Sequence, residues 1–216
     1  VKLITEKYTD AVRRLPEAGK YIIGHQQDDC IVVYQAYKPA IAAFAVENQK
    51  LGGAAFSYDR MSWIKPGFLW MMYRCGWASK ENQERVLAIW ISKADFESIL
   101  LEAVPTTFKP KLYKDNASWQ ADLKAKDVRI QWDPDHSPFG KKQERKAIQL
   151  GLKGEHLKAF GNKYIRKIDD VTDFVIEQSL RLRQNGIEEL MIPIETVLEL
   201  EDSTFNERLG IVTDHD

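Results

Sequence analysis

Cys30-Ile-Val-Val-Tyr34-Gln35-Ala-Tyr37-Lys38-Pro39 holds the two patterns whose succession decides the fold. Its first half is an unbroken β-branched and aromatic run, preceded by the polar stretch Gly24 to Asp29. A strand buried on both faces reads this way. From Lys38 to Lys50 the period changes: Pro39 suits a first helical turn, and Ile41, Ala42, Ala45 and Val46 make an apolar stripe. A buried strand therefore hands directly over to a helix.

Working outward, Tyr21-Ile22-Ile23 is expected to pair with that strand, and residues 5 to 15 suit a helix stopped by Pro16 and Gly19. Downstream, Pro66 opens a short helix to about residue 75, with Gly76 closing it and Arg74 near its last carbonyls. Glu84 to Ile91 reads as a strand, Lys93 to Ala103 as a helix, and Pro105 to Asn116 as a surface loop. Val128 to Trp132 is a strand ended by Asp133-Pro134; Pro138 to Gly140 is a turn, and Lys146 to Leu152 a further strand. Helices follow over Glu155 to Lys167 and Val171 to Gln184, the second capped by Asp170 or Asp169 and closed by Asn185-Gly186. Glu189 to Ile192 and Thr196 to Leu200 are the final strands. Strands and helices interleave without a regular βαβ rhythm. The expected fold is α+β: one domain over residues 1–216, its core at about 20–200, with a mixed or antiparallel sheet flanked by helices.

The 216 residues are 44% hydrophobic and 29% charged, with a net charge of −1, so nothing global argues for a membrane or nucleic-acid partner. Locally the balance shifts. Lys141 to Lys167 carries nine Lys/Arg against two acids, and Asp169 to Asp216 is as strongly acidic. Two solvated faces that partly neutralise each other is the plain reading; a basic face for nucleic acid is the other. Cys30 and Cys75 have no metal or redox spacing and read as reduced core thiols. No run of 18 apolar residues or secretory leader is found, so a cytoplasmic location is expected.

The strongest functional pointer is Arg60-Met-Ser-Trp63-Ile-Lys65-Pro-Gly-Phe-Leu-Trp70-Met-Met-Tyr-Arg74-Cys-Gly-Trp77. Between Asp59 and Glu81 the chain holds four cations, Arg60, Lys65, Arg74 and Lys80, and no anion, set among aromatics. Cations beside planar rings can grip a phosphate and stack a base. Lys65 also precedes a helix start, where free N–H groups favour an anion. Arg60, Lys65, Arg74 and Trp63 are therefore candidate ligand residues, although the aromatics suit a core equally well. Tyr34, Gln35 and Tyr37, where strand meets helix, are candidates for holding the ring. Gln131-Trp-Asp-Pro-Asp135-His136 could do acid–base work through His136, or be an ordinary Asp-Pro turn. Scattered histidines give no metal site. Late carboxylates at Glu188, Glu189 and Glu195 could hold a ribose hydroxyl or stabilise an oxocarbenium ion.

Taken together, Val33-Tyr-Gln-Ala-Tyr37, the Arg60–Trp77 run, Val86-Leu-Ala-Ile89, Gln131-Trp-Asp-Pro134, Ile148-Gln149 with Gly151-Leu152, and Asp170-Val-Thr172 closely resemble the domain of unknown function 4291 family over about residues 20 to 200. The family pattern follows Gln-Trp-Asp-Pro with Glu-Arg, where this chain has Asp135-His136. The element order is more loosely similar to ADP-ribosyltransferases. That likeness implies NAD as the bound nucleotide, Glu189 or Glu195 working on the nicotinamide ribose, and Tyr34 or Tyr37 stacking the nicotinamide. It also implies Arg60 and Lys65 on the pyrophosphate and His25 as the early polar residue. The chain shows no convincing counterpart of that family's central Ser/Thr motif. Two functions follow as expectations: an enzyme acting on a nucleotide, most specifically NAD-consuming ADP-ribosyl transfer, or a non-catalytic nucleic-acid module using the Lys141–Lys167 face.

Overall fold

Alternate residues of one strand seed two separate cores, and the rest of the chain is arranged around it. The computed structural model describes residues 2–200, 209 and 211. In chain order the elements begin with β1 (Thr5–Lys7), α1 (Tyr8–Arg14), β2 (Ile23–Gly24), β3 (Gln26–Gln27), β4 (Cys30–Tyr37) and α2 (Pro39–Asn48). Then come β5 (Ser62–Ile64), α3 (Phe68–Cys75), β6 (Arg85–Ser92), α4 (Lys93–Leu101), β7 (Ala103–Pro105) and α5 (Asn116–Ala125). The last part holds β8 (Val128–His136), β9 (Lys142–Leu152), α6 (Gly154–Ala159), a π-helical turn (Phe160–Tyr164), β10 (Ile165–Asp170), α7 (Thr172–Asn185), β11 (Met191–Pro193) and β12 (Thr196–Val197).

Strand β4 is central to an antiparallel sheet ordered β10-β6-β4-β3. Ile31 and Val33 enter one core with Ile89 and Ile91, while Val32 and Tyr34 enter the other with Ala88 and Trp90. This is the period of two of a pleated strand with both faces covered. Burying each such side chain stabilises the fold by about 1.5–3 kcal/mol. A second sheet runs β5-β9-β8-β7, antiparallel except for β7 and β8. Lys65, immediately after β5, ties the sheets together: its N–H donates to the Tyr34 carbonyl at 3.3 Å, and the Tyr34 N–H donates back at 2.7 Å. Two short ribbons, β1-β11 and β12-β2, close the C-terminal part against the N-terminal part. The chain is an α+β single-domain protein, as its interleaved patterns predict.

Several local expectations are corrected. Residues 5–7 form β1 instead of the first helical turn, because they pair with β11. Strand β4 takes Gln26–Gln27 as its hairpin partner, and Ile23–Gly24 pairs with β12. Asp133-Pro134 does not end β8. The strand continues to His136 through an irregularity between Pro134 and His136, beyond the point where β7 flanks it, so the missing Pro134 N–H leaves no ladder partner unmet on that edge. Residues 155–167 are not one helix: a π-helical turn ends at Tyr164 and β10 pairs with β6. Two strands are shorter than expected, Glu189–Leu190 lying before β11 and Leu198–Leu200 after β12.

The strong cap Asp115 opens α5, which the loop reading stopped short of; the Ser118 N–H donates to Asp115 Oδ1 at 2.8 Å. Helix α7 starts at Thr172, whose N–H donates to Asp170 Oδ1 at 3.0 Å, while Gly186 closes it with a φ of 70°. Gly76 likewise ends α3 in the left-handed region, with a φ of 59°. Among the described residues, no helix is long and apolar enough to cross a membrane.

Candidate functional site

A cavity of about 310 Å³ opens where α1 lies across β9 and the start of α3. Its apolar wall includes Ala11, Leu15 and Ile148; Tyr8, Asp135, His136, Arg145, Lys146 and Glu195 are among its polar groups, and Glu17 and Glu144 add two more carboxylates to its lining. A few convergent polar groups in an apolar hollow are the usual makings of a binding or catalytic site. Each is delivered by a different piece of chain. Tyr8 opens α1, Asp135 and His136 end β8, Arg145 and Lys146 lie on β9, and Glu195 fills the corner between β11 and β12.

Glu195 is 5% exposed. Its Oε1 accepts the Phe68 N–H at 2.7 Å, so the carboxyl caps the first turn of α3, and the Arg14 guanidinium donates to its backbone carbonyl at 2.6 Å. Burial pushes its pKa up to about 8; the Phe68 N–H and Arg145 pull the other way, and Asp135 adds to the rise. At neutral pH this side chain is a carboxylic acid with a proton to give. The neighbouring Tyr34 hydroxyl is fully buried without a hydrogen-bond partner among the described residues, and burial, helped by Glu195, raises its pKa well above the phenol range.

His136 is 3% exposed and lies flat in an aromatic stack, 3.6 Å from the Tyr73 ring centre and 5.3 Å from that of Trp70. Neither ring nitrogen completes a hydrogen bond among the described residues, the Pro134 backbone alone approaching. Burial lowers its pKa, while nearby Asp135 opposes the shift. The ring is therefore neutral at pH 7 and able to accept a proton. Asp135 is anchored by Arg145, whose Nε and Nη2 donate to Oδ2 at 3.0 and 2.7 Å while Nη1 donates to the Pro16 carbonyl at 2.7 Å. The cavity thus combines a proton donor, a proton acceptor and a fixed, charge-balanced ion pair.

A second polar cluster surrounds Lys65. The Gln35 amide donates to Ser62 Oγ at 2.7 Å, the Tyr37 hydroxyl lies 3.1 Å from the same oxygen, and Gln35 Oε1 has no partner among the described residues. Burial drives the Tyr37 phenol above its usual range. Lys65 is 6% exposed, and its ammonium donates to the Trp63 carbonyl at 3.3 Å. Burial, then Arg74, lower its pKa to about 8, against the opposing pull of Cys75 and Asp133. The Asp133 carboxylate is held by the Gln131 and Gln149 side-chain amides at 3.1 and 2.8 Å.

The residues singled out from sequence thus divide. Glu195 and His136 border one cavity, with Tyr34 beside Glu195. Gln35, Tyr37, Trp63 and Lys65 share the second cluster, and Arg74 lies near it but is exposed. Arg60 is on the surface, and so is Glu189, whose carboxylate accepts from Asn185 at 2.5 Å. His25 is buried edge-on to Trp90, its Nδ1 2.7 Å from the Ile194 carbonyl. Of the block's aromatics, Phe68 and Trp70 are core residues. The basic run 141–167 is split between β9 and the α6–β10 region, where Lys153, Lys158 and Lys167 are paired with Asp127, Glu155 and Asp169. Sequence reading missed Tyr8 and Arg145: the first sat in an ordinary amphipathic pattern, and the second was counted only as charge. Among the described residues no three His, Cys, Asp or Glu side chains converge as a metal site.

The profile described as "Domain of unknown function (DUF4291)" matches residues 21–198, so the chain belongs to this family. The match names no activity and gives no support to a link with ADP-ribosyltransferases. No curated protein matches the chain.

Proposed function

We propose that this member of the domain of unknown function 4291 family is an enzyme acting on a nucleotide, with Glu195 as general acid and His136 as general base. The observation that carries the reading is the pairing of a buried carboxyl with a buried imidazole that has no hydrogen-bond partner among the described residues, both on the wall of one cavity. Groups whose environments push their pKa values across neutrality are what acid–base catalysis at pH 7 needs. Here the usual assignment is inverted, the carboxyl keeping its proton and the imidazole lacking one. Such a pair serves a reaction in which an attacking hydroxyl or water loses a proton and a leaving oxygen or nitrogen gains one.

The most specific form is ADP-ribosyl transfer from NAD, in which nicotinamide leaves without needing a proton and Glu195 acts as a carboxylate, not as the general acid. In that chemistry a carboxylate beside the ribose stabilises the oxocarbenium ion. Glu195 could supply it once the cationic nicotinamide ring stands nearby and favours the ionised form; the exposed Glu189 lacks that surrounding.

The test is product formation from NAD, ADP-ribose, ATP and GTP by wild type, Glu195→Gln and His136→Gln. Turnover of at least one nucleotide is expected, with a loss of about 100-fold or more in each variant. Turnover that survives Glu195→Gln would remove the acid from the mechanism, and no turnover of any of the four would refute the reading. Consumption of NAD with release of nicotinamide would select the ribosyl-transfer form.

A further inference from the structure

On the other side of Lys146 lies a second, larger cleft of about 450 Å³. Four lysines border it, Lys20, Lys109, Lys111 and Lys146, and among the described residues no carboxylate does. They reach it from three separate pieces of chain. Lys20 and Lys146 are brought together by a backbone bridge, the Lys146 N–H donating to the Gly19 carbonyl at 2.8 Å. Lys109 and Lys111 come from the Pro-rich segment between β7 and α5. That segment is held at its start, where the Thr106 N–H donates to the Ile130 carbonyl at 3.1 Å and the indole of Trp119 in α5 folds back to donate to the Pro105 carbonyl at 2.9 Å.

None of the four ammonium groups has an ion-pair partner among the described residues. Burial lowers the Lys20 pKa, and Lys109 and Lys146 lower it further, so the like charges are close enough to feel one another. Gathering repelling cations without a counter-charge makes physical sense where an anion is to be bound. The floor of the cleft has a different character, since Pro105, Leu112, Ile130 and the half-buried Trp132 line it. The Trp132 indole N–H is buried without an acceptor among the described residues. An aromatic face with an unused donor, beside cations and the Thr106 and Thr107 hydroxyls, matches a ring attached to phosphates.

We propose that this cleft binds a nucleoside di- or triphosphate, the phosphates on Lys20, Lys109, Lys111 and Lys146 and the base against Trp132. A triphosphate's charge of up to about −4 is balanced by the four lysines, and the volume suits one nucleotide. Lys146 also borders the Glu195–His136 cavity, so the cleft adjoins the acid–base pair on its lysine side. The assignment rests on the nucleotide reading above and names where the substrate is held.

The test is calorimetric titration of wild type, Lys109→Ala/Lys111→Ala and Glu195→Gln with ATP, ADP, adenosine and a 12-nucleotide single-stranded RNA, at low and high salt. Lys109 and Lys111 are exposed, so their removal leaves the fold intact. Expected is binding of ATP and ADP by wild type and by Glu195→Gln, weakened at least tenfold in the lysine pair and far weaker for adenosine. Equal nucleotide affinity in the lysine pair would overturn the assignment, even if Glu195→Gln had abolished turnover and so upheld the acid–base reading. Loss of binding in the lysine pair without turnover of any nucleotide would instead uphold the cleft and refute the enzyme. Binding of RNA alone, falling steeply with salt, would make the cleft a nucleic-acid contact and overturn the proposal.

Discussion

Replacing Glu195 by Gln keeps the shape of the side chain and an oxygen to accept the Phe68 N–H, but removes the group that titrates. In the unfolded chain Glu195 ionises near 4.5, whereas in the folded protein it holds its proton to about 8. Between these values the unfolded state releases a proton that the folded state keeps, so stability falls as pH rises and levels off above about 8. At about 1.4 kcal/mol per unit, this one group costs the wild type roughly 1 kcal/mol at pH 5 and roughly 4 at pH 8. The glutamine has no such cost. Its stability relative to wild type should therefore improve by about 3 kcal/mol between pH 5 and pH 8, or about 2 if water reaches the cavity. In urea denaturation, with a slope of about 2 kcal/mol/M, that is a relative midpoint shift of about 1–1.5 M. All other titrating groups cancel in the difference between the two proteins. The same difference at both pH values would show that Glu195 ionises like an exposed carboxylate, and the proton-donor reasoning would fail.

Turnover of a nucleotide should be bell-shaped with pH. The alkaline limb falls at about pH 8, as Glu195 loses its proton, and the acid limb lies below the ordinary histidine value, because burial lowers His136; a profile without the alkaline limb would exclude Glu195 as the general acid. Lys65→Met removes a buried cation whose pKa is lowered to about 8 from 10.5. The charge's cost is present at pH 7 and fades as pH rises through 8 towards 10.5, so the variant should gain about 2 kcal/mol more over wild type at pH 7 than at pH 10. Chemical denaturation at the two pH values checks this, and an equal gain or loss at both would contradict it. Gly154→Ala should destabilise by about 1–3 kcal/mol, read as a lower urea midpoint. The residue has a φ of 53°, and an added methyl group runs into the Asp127 carboxylate that accepts the Glu155 N–H at 3.1 Å. An unchanged midpoint would show that the turn before α6 adapts freely.

How far the sequence could be read depended on whether the deciding contacts were local. The β4–α2 handover was legible because both halves carry their own period, and the α3 ending because Gly76 alone accounts for it. The pairing of β4 was not. Cys30–Tyr37 could take several neighbours: its choice of β6 rests on long-range register, and its hairpin with Gln26–Gln27 on a tight turn inside a stretch that read only as polar. Ile165–Asp170 was hidden for a related reason, its charges suggesting a helix surface until pairing with β6 makes it a strand.

The site divides in the same way. Glu195 and His136 were picked out as chemically capable groups, but nothing in the chain said that the corner after β11 meets the end of β8. The lysine cleft was less legible still. Lys109 and Lys111 sit in a segment whose prolines read as a linker, and Lys20 lies about 90 residues away in the chain. Only the β8–β9 ribbon and the bridge at Lys146 bring them together.

The central claim is that Glu195 is a proton donor facing a nucleotide. The most direct measurement is a carbon-13 NMR titration of the glutamate side-chain carboxyls, with Glu195→Gln assigning the resonance, run with and without ADP. The account predicts a carboxyl that titrates near 8 and moves when ADP binds. A resonance titrating near the ordinary 4.5 and indifferent to ADP would contradict it.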